Sequence, residues 1–190
     1  MESTADSDVV AVLTTDHREV EHMFVELQQL GPDQAERRQA LAEQVITELV
    51  RHSVAEEAYL YPATRRFVPG GDELADHELT EHAQAERTMK ELEDCPPDDP
   101  CFETLVHQLV QEITEHVREE EQELFPRLAA NADRQELQSL GRKVEAMKKV
   151  APTRPHPAAP DTPPLNKLAA PGAGLVDRVR DALSGRGKER

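Results

Sequence analysis

Two stretches of this chain carry the same set of side chains capable of holding a metal ion. Residues 52–62 read HSVAEEAYLYP and residues 116–126 read HVREEEQELFP. Superposed, His52 falls on His116, Glu56 on Glu120, Glu57 on Glu121, Leu60 on Leu124, Tyr61 on Phe125 and Pro62 on Pro126. On a helix, residues four apart lie on one face, one turn apart. Each copy therefore aims an imidazole and a carboxylate at one point. A neutral imidazole nitrogen and a carboxylate oxygen are ligands of intermediate hardness, suited to Fe, Mn or Zn.

The repeat extends upstream. Asp16-His17 precedes the first copy and Glu81-His82 precedes the second by nearly the same distance; Glu21 then matches Glu86, Glu26 matches Glu91 and Leu27 matches Leu92. The chain reads as two similar halves, each with a lone His on one helix and a His-x-x-x-Glu pair on the next. The repetition selects His17, His52, His82 and His116 from the eight histidines, together with Glu56 and Glu120. Four imidazoles and two carboxylates suffice for two metal ions, with the carboxylates placed to bridge them. A 2-His-1-carboxylate set with open positions is typical of non-haem Fe(II) that reacts with oxygen. A lone His on an apolar helical face is ordinarily a hydrogen-bonded core residue. Six such groups, all facing inward and repeated, would without a metal leave several buried polar atoms seeking partners at once.

Other candidates are weaker. His22 and His107 fall off their helices' inward seams, and His156 lies in a Pro-rich stretch. His77 stands five residues before His82 and has no counterpart in the first half, while Glu78 stands one turn before His82. Tyr59, one turn beyond Glu56, is a candidate proton donor. Glu57 and Glu121 sit one step from the ligand positions, where they would face solvent or orient an imidazole.

The elements that must position these groups are helices. The first starts near Asp6 or Asp8 and runs to Leu30, with a seam of Val10, Leu13, His17, Val20, Phe24 and Leu27, and Gly31-Pro32 ends it. The second spans about 34–67; its Pro62 is expected to kink or end the last turn. The third spans about 73–93 and the fourth about 100–130. The fold class is therefore all-α, an antiparallel up-down four-helix bundle over residues 6–130. A shorter helix at 133–150, with Leu137, Leu140, Val144 and Met147 on one face, is expected to pack across the bundle end. Residues 151–190 read as a Pro- and Ala-rich disordered linker and a tail. That tail carries Arg178, Arg180, Arg186, Lys188 and Arg190, with a short helix through Leu175, Val179 and Leu183, and is expected to be solvated.

The formal net charge of −16 over 190 residues argues against a nucleic-acid backbone as partner, which needs Lys and Arg to displace counterions, and against an anionic membrane surface. No stretch is apolar enough for long enough to cross a bilayer. The polar N-terminus MESTADSDVV has no basic-then-apolar leader, and a cytoplasmic location is the expectation. Cys95 and Cys101 flank a Pro/Asp-rich loop. Two free thiols are expected there, because reducing compartments disfavour disulfides; a reversible bridge is the alternative, decided by the Cα separation.

The order His17, His52-x-x-x-Glu56, His82, His116-x-x-x-Glu120, with EE…LYP and EE…LFP following, resembles the hemerythrin-like HHE cation-binding domain over about residues 6–130. The resemblance implies an up-down bundle around two non-haem iron ions, oxo- or hydroxo-bridged, with those six residues as metal ligands. The oxygen-carrying hemerythrins place two His four apart on the third helix, and a His and an acid five apart on the fourth. Here the third-helix pair is His77 and His82, five apart, and the fourth-helix acid follows by four. A site with one fewer His is more carboxylate-like, which favours reactivity or sensing over reversible oxygen carriage.

Three functions compete. The first is a di-iron protein that binds or reduces O2, NO or peroxide in sensing or stress defence. The second is an enzyme disproportionating peroxide or acting as an oxidase, although no organic substrate pocket or redox-partner motif is legible. The third is an iron-dependent regulatory or metal-storage module whose metal state alters the fifth helix and tail. A protein partner is not identifiable from the sequence.

Overall fold

A computed structural model describes residues 7–158 together with 173, 174, 177 and 181. Asp8 caps the first helix, its carboxylate accepting from the Ala11 N–H at 3.0 Å, and α1 runs Val9–Gln29. After the Gly31-Pro32 break come α2 (Ala35–Ala55), a π turn at Glu56–Leu60 and α3 (Tyr61–Phe67), which form one continuous second bundle helix. The third is α4 (Gly71–Asp94). The fourth is α5 (Pro100–Glu119), a π turn at Glu120–Leu124 and α6 (Phe125–Asn131). Asp99 caps α5 and Asp133 caps α7 (Arg134–Lys148), each accepting a backbone N–H within its first turn. The described residues contain helices and no strands, and the antiparallel four-helix bundle with a fifth helix stands as the sequence pattern implies.

Pro62 and Pro126 neither end nor break their helices. Each follows a π turn, in which the N–H of Tyr61 or Phe125 donates five residues back, to Glu56 or Glu120. Proline cannot donate and its ring crowds the carbonyl four residues earlier; the widened turn just before it lets the helix continue in a new register.

The core is divided. One apolar cluster, including Leu13, Leu60, Phe125 and Leu128, fills one end of the bundle. A second, including Phe24, Ile46, Met89 and Phe102, fills the other. With 3% aromatic residues, aliphatic side chains carry most of this packing, and burying each contributes about 1.5–3 kcal/mol. The polar residues singled out by the repeat lie between the two clusters.

Three expectations from sequence are corrected. Helix α7 lies along α1 rather than across the bundle end. A Cβ on Gly141 would meet the backbone of Ser7 and Asp8, and Lys148, two turns on, reaches Asp16. Cys95 and Cys101 are joined in a disulfide, the antiparallel helix ends holding their Cα atoms 6.6 Å apart, inside bridging range. The chain after Ala151 is docked, not an extended linker, as far as it is described. Ala151, Pro152, Thr153 and Pro155 are buried, and Arg154 pairs with Glu93 at 2.7 Å and with Asp181. Asp177, fully buried, accepts the backbone N–H groups of Thr153 and Arg154 and faces His156 Nε2 at 2.9 Å. All three contacts fall on the Asp177 Oδ2 atom, an anchor that a Pro/Ala composition does not advertise. Leu175, Val179, Leu183 and the basic residues from Arg178 onward lie outside the described residues.

Helices α3 and α4 meet so closely that a Cβ on Gly71 would stand 2.2 Å from the Thr64 carbonyl oxygen. Backbone cannot rotate away as a side chain can. Gly71→Ala is expected to lower stability by roughly 1–3 kcal/mol, read as a lower urea midpoint; an unchanged midpoint would show that the helix pair can part.

Candidate metal centre

All six residues chosen from the repeat are buried at the same level of the bundle. His17 (α1) and His52 (α2) form one pair of rings, with centroids 4.9 Å apart. His82 (α4) and His116 (α5) form the other, at 4.8 Å. Glu56 spans the two pairs: its Oε1 lies 3.0 Å from His52 Nε2 and its Oε2 lies 3.4 Å from His82 Nε2. Glu120 does likewise, with Oε2 3.3 Å from His17 Nε2 and 3.8 Å from His116 Nε2. Ligand atoms of His17, His52, Glu56 and Glu120 fall within 4.8 Å of one another, as do those of Glu56, His82 and His116.

Behind each imidazole stands an acid. His17 Nδ1 faces Glu121 at 2.8 Å, His52 Nδ1 faces Asp16 at 3.4 Å, His82 Nδ1 faces Glu57 at 3.1 Å and His116 Nδ1 faces Glu81 at 3.0 Å. An Nδ1–H donating outward to a carboxylate fixes the ring and turns the Nε2 lone pair to the centre, the usual support of a metal-bound histidine. Glu57 and Glu121 thus orient imidazoles. Asp16 and Glu81 were missed as members of this set, although the repeated acid-His dipeptide was their signal.

The two halves differ in what lies beyond the carboxylates. The Phe125 ring stacks on His17 at 5.7 Å. At the matching place Tyr61 puts its hydroxyl 2.9 Å from His82 Nε2 and donates to Glu120 Oε1 at 3.4 Å. The π turn brings Tyr61, not Tyr59, one turn beyond Glu56, because the added residue shifts the register by one; Tyr59 is half-buried against the apolar cluster. Glu78 is fully buried, 3.0 Å from His116 Nδ1, and groups with His116 and Glu120 as a further set of ligand atoms. Its position one turn before His82 was the only sequence signal. His77 is turned to the surface beside Glu119; His22 and His107 are exposed.

The inner atoms fit a cation. His17 Nε2, His52 Nε2, both oxygens of Glu56, Glu120 Oε2 and both oxygens of Glu78 are buried without an aligned hydrogen-bond partner. Orphaned groups of this kind cost several kcal/mol in aggregate unless something compensates them. In the absence of metal, protons do so in part. Burial pushes the His52 imidazole down, but Glu56 and Asp16 outweigh it and raise it to about 10. His82 is likewise disfavoured by burial and raised by Glu56 and Glu57 to about 9. Burial raises the Glu56 carboxyl, and the His52 and His82 charges more than reverse this, holding it well below its usual range. Burial, reinforced by Glu56 and Glu120, keeps the Tyr61 phenol protonated.

An all-helical bundle with a buried His/Glu cation site at its centre defines the class of protein. The chain belongs to the hemerythrin HHE cation binding domain family, whose model matches residues 8–128. It is 29% identical over 170 residues to an uncharacterized hemerythrin-like protein of Schizosaccharomyces pombe, covering 88% of this chain and 82% of that one. It is 32% identical over 145 residues to a DNA nickase of a Nostoc species, covering 75% of this chain but 40% of the nickase. A crystal structure of a hemerythrin HHE cation binding domain-containing protein from Mycobacterium kansasii superposes with a TM-score of 0.66 at 23% identity, over 75% of this chain and 86% of that one. This last likeness speaks for the fold alone.

Metal must displace the protons held by these imidazoles. In the metal-free chain, His52 and His82 have folded values raised above the ordinary 6.5. Their contribution to stability is therefore complete below about 6.5 and is lost as pH rises through about 9 to 10. Metal-free protein is expected to become less stable across that window, and metal uptake near pH 7 to release protons in weakly buffered solution. Uptake without acidification would contradict the assignment.

Proposed function

We propose that this chain is a non-haem di-iron protein that binds or reacts with a small ligand, O2, NO or peroxide, in sensing or stress defence. The observation that carries the reading is the pairing of two His/His sets by Glu56 and Glu120, with the orphaned atoms all facing one another. His17 and His52 would hold one ion, His82 and His116 the other, and the two carboxylates would touch both. Iron bound there would supply open coordination positions and electrons to the ligand.

The chain's own residues set the conditions. Asp16, Glu57, Glu81 and Glu121 keep the imidazoles aimed inward. The apolar clusters close the layer off at either end of the bundle. On the imidazole side lies a cavity of about 140 Å3, in which Val20, Leu49, Ala85, Ile113 and Val117 surround the four histidines and Asp16, Ser53, Glu81, Gln84, Glu112 and Glu115 line the rest. That volume suits a ligand of a few heavy atoms and not an extended substrate. On the opposite side, Tyr61 holds a phenolic proton between His82 and Glu120. That arrangement supports reactivity or sensing, but no residue is assigned to a turnover step.

A specific contact favours a second reading, an iron-dependent regulatory or storage module. Lys148, at the end of α7, lies 2.5 Å from Asp16, which in turn faces His52. The nickase relative raises a nucleic-acid substrate, but a net charge of −16 opposes binding to a phosphate backbone. No helix among the described residues is long and apolar enough to cross a membrane. A cytoplasmic location is part of the proposal; the Cys95–Cys101 bridge pulls the other way.

Protein purified from iron-replete cells is expected to carry two irons per chain by elemental analysis, on the two-ion count above, and its visible absorption to change on adding NO or peroxide. His116→Ala should lower the iron content and abolish the response. Full iron content in that variant, or an iron-free native protein, would refute the reading. Iron content and ligand response left intact both by Lys148→Ala, which removes the contact with Asp16, and by truncation after Val150 would remove the regulatory alternative.

A further inference from the structure

The two halves of the bundle serve as each other's control, and they differ most on the surface between α4 and α5. His77 Nε2 there lies 2.9 Å from Glu119 Oε2 and 3.5 Å from Glu81 Oε1. The three offer ligand atoms within 4.8 Å of one another. The other Glu119 oxygen pairs with Arg118 at 3.1 Å. The His77 side chain is 54% exposed, and those of Glu81 and Glu119 are 22% and 28% exposed. One step inward, Glu81 Oε2 and Glu78 Oε2 each stand 3.0 Å from His116 Nδ1. Glu78 is fully buried, neither of its oxygens has an aligned hydrogen-bond partner, and its one close polar contact is His116; it groups with His116 and Glu120 of the inner centre.

The first half has none of this. Superposing His17 on His82 puts Val12 at the place of His77 and Leu13 at that of Glu78; superposing His52 on His116 puts Ala55 at that of Glu119. The acids behind the first half's own imidazoles are faced by fixed cations, Asp16 by Lys148 and Glu121 by Arg18. Glu81 is faced instead by an imidazole, a ligand for first-row divalent ions. One side of the buried centre thus carries a continuous file of donors from solvent inward, and the other carries aliphatic side chains and ammonium or guanidinium groups.

We propose that His77, Glu81 and Glu119 form an outer docking site for a divalent first-row cation, from which Glu78 and His116 receive it into the buried centre. The inference rests on the reading of that centre as a metal site. It adds a route, a direction of filling and a third, weaker ion position. A cation held first by two carboxylates and an imidazole exchanges only part of its hydration at the surface. It then meets the buried Glu78 carboxylate, whose Oε1 has no polar contact of its own, so it never crosses the layer without a donor. The local negative potential of the mouth raises the capture rate.

The test uses the metal-free full-length chain, mixed rapidly with Co(II), whose visible absorption reports the buried environment; final content is read by native mass spectrometry. His77→Ala and Glu119→Gln are both surface changes outside the buried centre, and Asp76→Asn removes a neighbouring charge without removing a donor. At limiting Co(II), His77→Ala and Glu119→Gln are expected to fill the centre about tenfold more slowly. Both should reach the wild-type inner content, and both should lose the additional weakly held ion seen at high Co(II). Asp76→Asn should load at the wild-type rate. Wild-type loading rates in His77→Ala and Glu119→Gln would overturn the route, as would equal slowing in Asp76→Asn. A native chain that takes no cobalt into its centre would overturn the metal reading itself, a result distinguishable from failure of the route alone.

Discussion

Burying four imidazoles and three carboxylates in one layer of a helical bundle is the constraint on which this structure depends. Each group loses its hydration on folding, and most of the inward atoms, those of His17, His52 and Glu56 and one oxygen of Glu120 among them, have no aligned hydrogen-bond partner within the protein. Like charges at such range cannot all be ionised without a compensating cation. The apolar clusters above and below hold the layer in place. Folding and metal binding are therefore linked through the same residues: the packing energy of the two ends sustains a polar layer that a cation completes.

The duplicated sequence explains how so few residues build that layer. Each half contributes an acid-His dipeptide and a His-x-x-x-Glu-Glu segment, and antiparallel packing interleaves them. Asp16 and Glu81 support the imidazole of the neighbouring helix in their own half, whereas Glu57 and Glu121 support the lone imidazole of the opposite half. The symmetry is then broken in specific places. Tyr61 stands at the position of Phe125 in the repeat and Glu78 at that of Leu13, so the hydroxyl and the third buried carboxylate both fall to the His82–His116 side. The two His/His pairs are chemically unequal for that reason.

Much of this was legible beforehand. The all-helical bundle, the helix limits to within two residues and the convergence of the six inward side chains follow from apolar periodicity and from one motif occurring twice. What was hidden depends on register or on distant contacts. Tyr61 reaches the centre only because a π turn adds a residue after Glu56, and periodicity at 3.6 residues per turn points to Tyr59 instead. The role of Asp16 and Glu81 requires knowing which helix lies beside which. The Cys95–Cys101 bridge depends on a Cα separation, and the docking of Thr153, Arg154 and His156 depends on Asp177, Asp181 and Glu93, residues far away in the chain.

Anomalous diffraction at the iron edge, from crystals of the iron-loaded chain, bears most directly on the central claim. The account predicts two peaks about 3.5–4 Å apart, one against His17 and His52 and the other against His82 and His116, with Glu56 and Glu120 in contact with both. Iron peaks confined to the protein surface, or a bundle interior without any, would contradict it.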